Sequence, residues 1–172
     1  MFEIVRCTEF NDEKITVISR LAEEIWNGHY IPIIGKAQID YMLKKFQSPE
    51  GIKKQFEEGF SYYLLKKGYN YIGYFALKSE ATSVLLSKFY IKAEYRGHGY
   101  GRQVIKFIED RAVINNWHSV NLLVHKNNTI AINSYKKFGF NITEPVITDI
   151  GEGYFMDDYR MEKSLVYSSC SK

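Results

Sequence analysis

Cysteine is scarce in this chain: Cys7 and Cys170 stand near opposite ends of 172 residues. That placement favours two free thiols in a reducing compartment over a structural disulfide. The four histidines are scattered, and neither they nor the cysteines show the spacing of metal ligands, so no metal site is expected. No apolar run approaches the roughly 18–20 residues of a membrane span, and the first residues do not form a secretory signal. We therefore expect a cytoplasmic protein with no membrane contact.

Net charge is also low, at +3, which is too little to indicate a nucleic-acid partner. Proline numbers only 3, and no repeat, low-complexity block or Pro/Gly/Ser-rich linker divides the sequence. The length suits one well-packed core and is short for two. We therefore predict a single domain over residues 1–165 and a polar C-terminal tail over 166–172.

The hydrophobic periodicity predicts an α+β fold. A first strand is followed by helical segments that end near Gly59, and then by strand-like runs separated by short turns, which suggests an antiparallel meander. A helix from Gly101 to about Asn116 comes next, with Val113 among its apolar residues. A strand, a short helix and a final hairpin around "GEG" complete a mixed, mainly antiparallel sheet. The meander strands are "FSYYLLKK", "YIGYFALK" and "SVLLSKFYIK".

The stretch "YRGHGYGR", Tyr95 to Arg102, places three glycines between a strand and a helix. The first turn of a helix has unpaired backbone N–H groups that attract anions, and glycines let a phosphate approach them. The spacing does not match the dinucleotide fingerprint, and no P-loop pattern is present. Taken alone, the stretch is either a phosphate site or a tight turn with no ligand.

Two segments carry a family resemblance. "FYIKAEYRGHGYGRQVIKFIEDRA" resembles the acetyl-coenzyme A motif Q/R-x-x-G-x-G/A of the GNAT acetyltransferase superfamily, and "LLVHKNNTIAINSYKKFGF" is similar to that superfamily's later motif. The two occur in the family's order and together cover about Ser83 to Phe140. The matching residues are Arg96, Gly99 and Gly101 in the first motif, and Asn128, Ala131, Tyr135, Gly139 and Phe140 in the second.

The resemblance implies a GNAT-like three-layer α+β fold with helices flanking a mixed, mostly antiparallel sheet, and acetyl-coenzyme A (acetyl-CoA) as co-substrate. It places the pantetheine arm along Phe89 and Ile91, with a polar contact from Asn128, which also has the residue type of a helix N-cap. It places the pyrophosphate on the backbone of the glycine loop, with two arginines adding positive charge. The loop residues are Arg96, Gly97, His98, Gly99, Tyr100, Gly101 and Arg102.

In the family, the tyrosine that matches Tyr135 acts as general acid towards the departing coenzyme A thiolate, after direct attack by an amine in a ternary complex. Many relatives use a glutamate on the strand before the loop as the base, but "SVLLSKFYIK" has no carboxylate. A base that acts through a water chain is the default expectation. The side chains left open as alternatives are His125, Asp157, Asp158, Glu23, Glu24 and His29.

The acceptor is the least determined part of this interpretation. The ring-rich, mixed-charge segment over residues 25–59 suits a cationic amine through cation–π and ion-pair contacts, and its layout is similar to PaiA-like polyamine acetyltransferases. The sequence therefore predicts acetylation of a small primary amine, with a polyamine as one candidate. Acetylation of protein N-termini or peptides, and a non-catalytic acyl-CoA-binding module, are the alternatives. A homodimer is compatible with the sequence.

Overall fold

The computed structural model of the chain describes residues 1–7 and 12–165. The predicted tail over 166–172, with Cys170, lies outside this part. The chain divides into two compact units. The first contains the described residues of Met1–Lys78 together with Ser87–His98, and the second contains Ser79–Leu86 and the described residues from Gly99 onward. Strand β4, Ser83–Ile91, therefore contributes to both.

The first unit combines short helices with an antiparallel meander. Ser48 caps α4 by accepting a hydrogen bond from the Gly51 N–H, and Pro49 follows it at the first helical position, where a missing N–H costs no hydrogen bond. Its elements are β1 (Phe2–Arg6), α1 (Asp12–His29), α2 (Ile31–Ile34), α3 (Lys36–Met42), a π-helical turn (Leu43–Gln47), α4 (Pro49–Glu57), β2 (Phe60–Lys67), β3 (Asn70–Ser79), the end of β4, and a 3-10 turn (Ala93–Tyr95).

The meander follows from runs of aromatic and aliphatic residues joined by short turns. Strands β1 and β2 pair antiparallel, as do β2 and β3. The hydrogen bonds from Lys92 N to Ile72 O and from Glu80 N to Ser83 O place β4 beside β3 in the antiparallel sense. Gly73 lies in β3 where a Cβ would overlap the Tyr90 carbonyl oxygen, so this close approach of two backbones requires glycine.

The second unit packs two helices and a hairpin around strand β5. Strand β5 pairs parallel with the start of β4 through Ser83–Leu85 and Ser119–Asn121. It also pairs antiparallel with β7, which in turn pairs antiparallel with β6. The elements are α5 (Tyr100–Asn115), β5 (Ser119–His125), α6 (Thr129–Lys137), β6 (Asn141–Gly151) and β7 (Tyr154–Ser164).

The seven strands follow the order β1-β2-β3-β4-β5-β7-β6. The predicted α+β class, with its mixed and mostly antiparallel sheet, is confirmed. One local expectation is wrong: Val113 is 66% exposed rather than part of the buried stripe of α5. Within the described residues, no helix has both the length and the apolar character needed to cross a bilayer.

Candidate active site

The glycine loop runs from the end of β4 to the start of α5. Gly97 and Gly99 adopt φ values of 79° and 80°, a region that favours glycine because it has no Cβ. A Cβ at either position would meet open space, so the backbone conformation, not crowding, requires glycine there. Gly99 is the N-cap of α5 and has no side chain to occupy the N–H groups of the first helical turn. These features fit an anionic group such as a pyrophosphate.

The Arg96 side chain of the loop forms its contacts with other residues of the first unit. The Arg96 Nε–H donates to the Ile91 carbonyl oxygen at 2.9 Å, and another guanidinium nitrogen lies 3.4 Å from His29 Nδ1. His98 Nδ1 lies 2.9 Å from the Arg96 carbonyl oxygen. Arg102 is exposed, whereas the Tyr100 side chain is buried. Tyr100 can therefore contact a ligand through its backbone rather than through its phenol.

Phe89 and Ile91 lie on β4 with the backbone orientation that the resemblance requires. Lys92 donates its N–H to Ile72 of β3, so the alternate residues Phe89 and Ile91 direct their N–H and C=O groups away from β3. The Phe89 ring packs edge-on against Phe75, with 6.4 Å between ring centroids. Its side chain therefore has a packing role in addition to any ligand contact of its backbone.

Helix α6 carries the residues of the second motif. The Asn128 side-chain oxygen accepts a hydrogen bond from the Ala131 N–H at 3.3 Å, which confirms it as the N-cap of α6. Tyr135 is partly exposed, and its ring contacts Phe140 edge-on at 5.6 Å. The turn after α6 is closed on the Tyr135 carbonyl, which accepts the N–H groups of Phe138 and Phe140. The motif residues of this unit therefore form one local cluster.

The structure separates the proton-accepting groups that the sequence left open. Most of them are exposed or already engaged. Glu23 is exposed, and His29 lies beside Arg96. The engaged pairs are Glu24 with Lys92 at 2.7 Å, Asp157 with Lys126, and His125 Nδ1 with the Asn127 N–H at 3.2 Å.

Asp158 differs from those groups. It is 3% exposed, and its Oδ1 atom has no hydrogen-bond partner within the described part of the chain. Burial, together with the charge of the neighbouring Asp157 and against the opposing effect of Lys126, raises the pKa of Asp158 to about 6. The pKa of His125 is lowered, chiefly by burial and against the opposing effect of Asp157.

Lys88 is a further perturbed group that the sequence did not single out. Burial lowers its pKa to about 8, although Glu58 opposes the change. Its Nζ donates to Ser87 Oγ at 3.0 Å and lies 5.5 Å from the centre of the Phe60 ring. The available signal was a lysine in the middle of the otherwise apolar run "SVLLSKFYIK".

Comparisons with known proteins agree with the sequence motifs. The model of the acetyltransferase (GNAT) family matches residues 22–140, whereas a sequence search of curated proteins gave no match. The structure is similar to PaiA N-acetyltransferase from Thermoplasma acidophilum in complex with coenzyme A, with 22% identity, a TM-score of 0.78, and coverage of 95% of this chain and 99% of that one.

Two further solved structures share the fold. The ribosomal-protein-S18-alanine N-acetyltransferase from Escherichia coli has 13% identity and a TM-score of 0.71, covering 100% of this chain and 99% of that one. A spermidine N-acetyltransferase chimera from Vibrio cholerae and a human enzyme has 19% identity and a TM-score of 0.64, covering 95% of each chain. Together with the family match and the loop geometry, these findings show that the chain belongs to the GNAT acetyltransferase family and is an N-acetyltransferase that uses acetyl-CoA.

Proposed function

We propose that the protein acetylates a primary amine of a small cationic molecule, with a polyamine as the leading candidate. The observation that carries this proposal is an aromatic cluster in the first unit, at the end of α1. Trp26, Tyr30, Tyr74 and Tyr90 are linked by ring contacts, including 5.4 Å between Trp26 and Tyr90. Tyr30 and Tyr90 are partly exposed, and such ring faces attract ammonium groups.

The neighbouring charges support the same acceptor class. Glu24 lies on α1, the helix that also carries Trp26, and it pairs with Lys92 at 2.7 Å, so the helix of the aromatic cluster also carries a carboxylate. Carboxylates and aromatic faces together bind primary ammonium groups in water. The spermidine enzyme among the solved relatives acts on such an amine, which supports the proposal through fold similarity alone.

For the co-substrate, we propose that backbone N–H groups of the loop hold the pyrophosphate. The residues are Arg96, Gly97, His98, Gly99, Tyr100, Gly101 and Arg102, and the left-handed backbone at Gly97 and Gly99 supports this assignment. The backbone of Phe89 and Ile91 would bind the pantetheine amides, and Asn128 would add a polar contact. Acetyl-CoA supplies the activated acetyl group.

We propose that Tyr135 is the general acid. Its partly exposed phenol lies on α6, about two turns after the Asn128 cap, and its ring contacts Phe140. A phenol can donate a proton to the sulfur as negative charge develops there, which lowers the barrier to departure of the thiolate. Tyr135 would then recover a proton from the acylated nitrogen.

An amine panel with detection of the released thiol tests the acceptor class. The panel contains putrescine, spermidine, an amino sugar, free amino acids and peptides with free N-termini. We expect turnover to be fastest with the polyamines. Preference for peptides would favour the protein-acetylating alternative, and acetyl-CoA binding by calorimetry without any turnover would favour a non-catalytic binding module.

The role of Tyr135 has its own test. Tyr135→Phe should lower kcat by about 10²- to 10⁴-fold, because a positioned acid contributes that much, while acetyl-CoA affinity stays near that of the wild type. Tyr69→Phe is the matched control, since Tyr69 is 98% exposed. A kcat within about twofold of wild type in Tyr135→Phe would show that Tyr135 is not the acid.

The cytoplasmic location, the single domain over 1–165 and the homodimer stay predictions. Gel filtration with light scattering over a range of protein concentrations tests the dimer. Limited proteolysis tests the domain boundary, since a single domain should yield one resistant fragment that ends near residue 165.

A further inference from the structure

The proton acceptor is the part of the reaction that the family resemblance leaves open. We propose that Asp158 accepts the proton of the acceptor's ammonium group before the amine attacks. This inference rests on the proposed function, because it assigns a catalytic role within the same reaction. It adds that the acceptor binds as a cation and that its proton passes to a carboxylate.

The first support is the place of Asp158 in the sheet. It lies on β7, the strand between β5 and β6, directly opposite His125 on one side and Val146 on the other. Opposed residues of antiparallel strands project to the same face of a sheet, so the carboxyl lies between an imidazole and an apolar side chain. Its neighbours in sequence, Asp157 and Tyr159, alternate to the other face.

The second support is the unsatisfied oxygen. Buried polar atoms normally have hydrogen-bond partners, and an exception points to a function or to a missing ligand. Among the described residues, 4 buried side-chain polar atoms lack a partner, and Asp158 Oδ1 belongs to the one ionisable group of that set. Its lone pairs are not used by the protein and remain available to accept a proton.

The third support comes from the other candidate bases. Lys126 neutralises Asp157, and Lys92 neutralises Glu24. His125 already accepts the Asn127 N–H at Nδ1, the nitrogen that would carry the lone pair. Glu23 is exposed to water. Asp158 alone combines a free acceptor atom with a desolvated position within the described candidates.

The electrostatic surroundings suit this role. Three charged or titratable groups lie near Asp158: Asp157 on its own strand, and His125 and Lys126 at the end of β5. Arg160, which projects from β7 to the same face of the sheet as Asp158, is paired with Glu144 of β6 at 2.7 Å. A carboxyl with a pKa of about 6 is ionised at neutral pH and is more basic than an exposed aspartate, as general-base catalysis requires. Because Oδ1 has no contact with solvent, the proposal includes an opening over Asp158 when the acceptor binds.

The chemical step balances as follows. One ammonium N–H bond breaks and its proton passes to Asp158 Oδ1, which leaves a neutral amine. The amine lone pair forms a C–N bond with the thioester carbonyl carbon, and the C–S bond then breaks with its electron pair on sulfur. The sulfur takes the Tyr135 proton, Tyr135 takes one from the acylated nitrogen, and Asp158 returns its proton to water. The products are an acetamide, coenzyme A and one proton.

The experiment compares Asp158→Asn with Asp157→Asn, the same substitution one residue away. The pH dependence of kcat/KM for the best amine should rise through a pKa of about 6 in the wild type. We expect Asp158→Asn to lower kcat by about 10²- to 10⁴-fold, to abolish that acid limb, and to leave the KM for acetyl-CoA unchanged. Asp157→Asn should keep the plateau rate and move the limb to lower pH, because Asp157 raises the pKa of Asp158.

Two further variants keep the proposal open to refutation. Asp158→Glu retains a carboxylate and should recover part of the rate, which covers the case in which Asp158→Asn does not fold. His125→Gln should keep the acid limb if Asp158 is the base; loss of the limb in this variant would assign it to His125 and overturn the proposal. Full activity in folded Asp158→Asn would overturn the proposal while leaving the acetyltransferase function intact, whereas no turnover by the wild type would refute both.

Discussion

Both units bury side chains that can titrate, but they treat them differently. In the first unit, the Tyr62 hydroxyl donates to Gln55 at 2.9 Å and the Tyr74 hydroxyl donates to Gln47 at 3.0 Å. Burial raises the pKa of both tyrosines far above neutrality, so they remain neutral donors. In the second unit, Asp158 is almost as buried, but its Oδ1 has no hydrogen-bond partner among the described residues, and burial raises its pKa to about 6. The hydrogen-bonded phenols of Tyr62 and Tyr74 stabilise the fold, whereas the unpaired Asp158 carboxyl oxygen indicates a role in function.

The largest expected effect follows from Asp158. Its pKa is raised from 3.8 to about 6 in the folded chain, so between these values the folded state binds more protons than the unfolded state, and stability falls as pH rises through that window. At pH 7 the ionised carboxyl then costs about 3 kcal/mol. Asp158→Asn should raise the free energy of unfolding by up to that amount at pH 7 and by little below about pH 4.

Urea unfolding at the two pH values measures this difference. Asp157→Asn serves as the control and should change stability only slightly, because its ion pair with Lys126 is partly exposed. If Asp158→Asn were the less stable protein at pH 7, the carboxylate would be a stabilising group, and the contrast between the two units would not hold.

A substitution in the first unit should change the free energy of unfolding by less, and should lower it rather than raise it. Gln55→Leu removes the acceptor of the buried Tyr62 hydroxyl, together with the amide's own hydrogen bond to the Phe46 carbonyl at 2.7 Å. An unsatisfied buried hydroxyl costs about 1–3 kcal/mol. The free energy of unfolding should fall by about that amount equally at pH 4 and pH 7, because an amide does not titrate and burial holds the pKa of Tyr62 far above that range.

The double variant with Tyr62→Phe separates the two contributions. Removing the orphaned hydroxyl should restore part of the loss, and Gln103→Leu on the exposed face of α5 should leave stability nearly unchanged. If the double variant were no more stable than Gln55→Leu, the hydroxyl would not be the source of the cost.

Much of the fold could be predicted because it depends on local patterns. The run "FSYYLLKK" gave the bounds of β2 without error, since its aromatic and aliphatic residues are typical of a strand and Gly59 and Gly68 flank it. Val113 was placed wrongly because an apolar residue at helical spacing is buried only if another element covers it, and the covering element is not encoded next to it.

The same distinction holds for the site. The left-handed glycines of the loop and the Asn128 cap could be predicted because residue type determines such local backbone structure, whereas their contacts with acetyl-CoA come from the family resemblance and stay predictions. Asp158 was named among several acids but could not be separated from Asp157, because alternation shows that adjacent residues face opposite ways without showing which face is covered. Which face of β7 is covered depends on the position of β7 between β5 and β6 in the sheet, and this strand order differs from the order along the chain.

Asn128 offers the smallest and most selective test, because it is a buried polar residue of the second unit that does have a partner. Asn128→Ala removes the cap of α6 and should lower the free energy of unfolding by about 1 kcal/mol. Asn128→Asp preserves a capping oxygen and should keep stability within about 0.5 kcal/mol of wild type. If the residue also contacts the co-substrate, both variants should bind acetyl-CoA more weakly by calorimetry, despite their different stabilities. Unchanged affinity in Asn128→Asp would restrict the residue to its capping role, and the second unit would then resemble the first in using paired buried polar groups for stability alone.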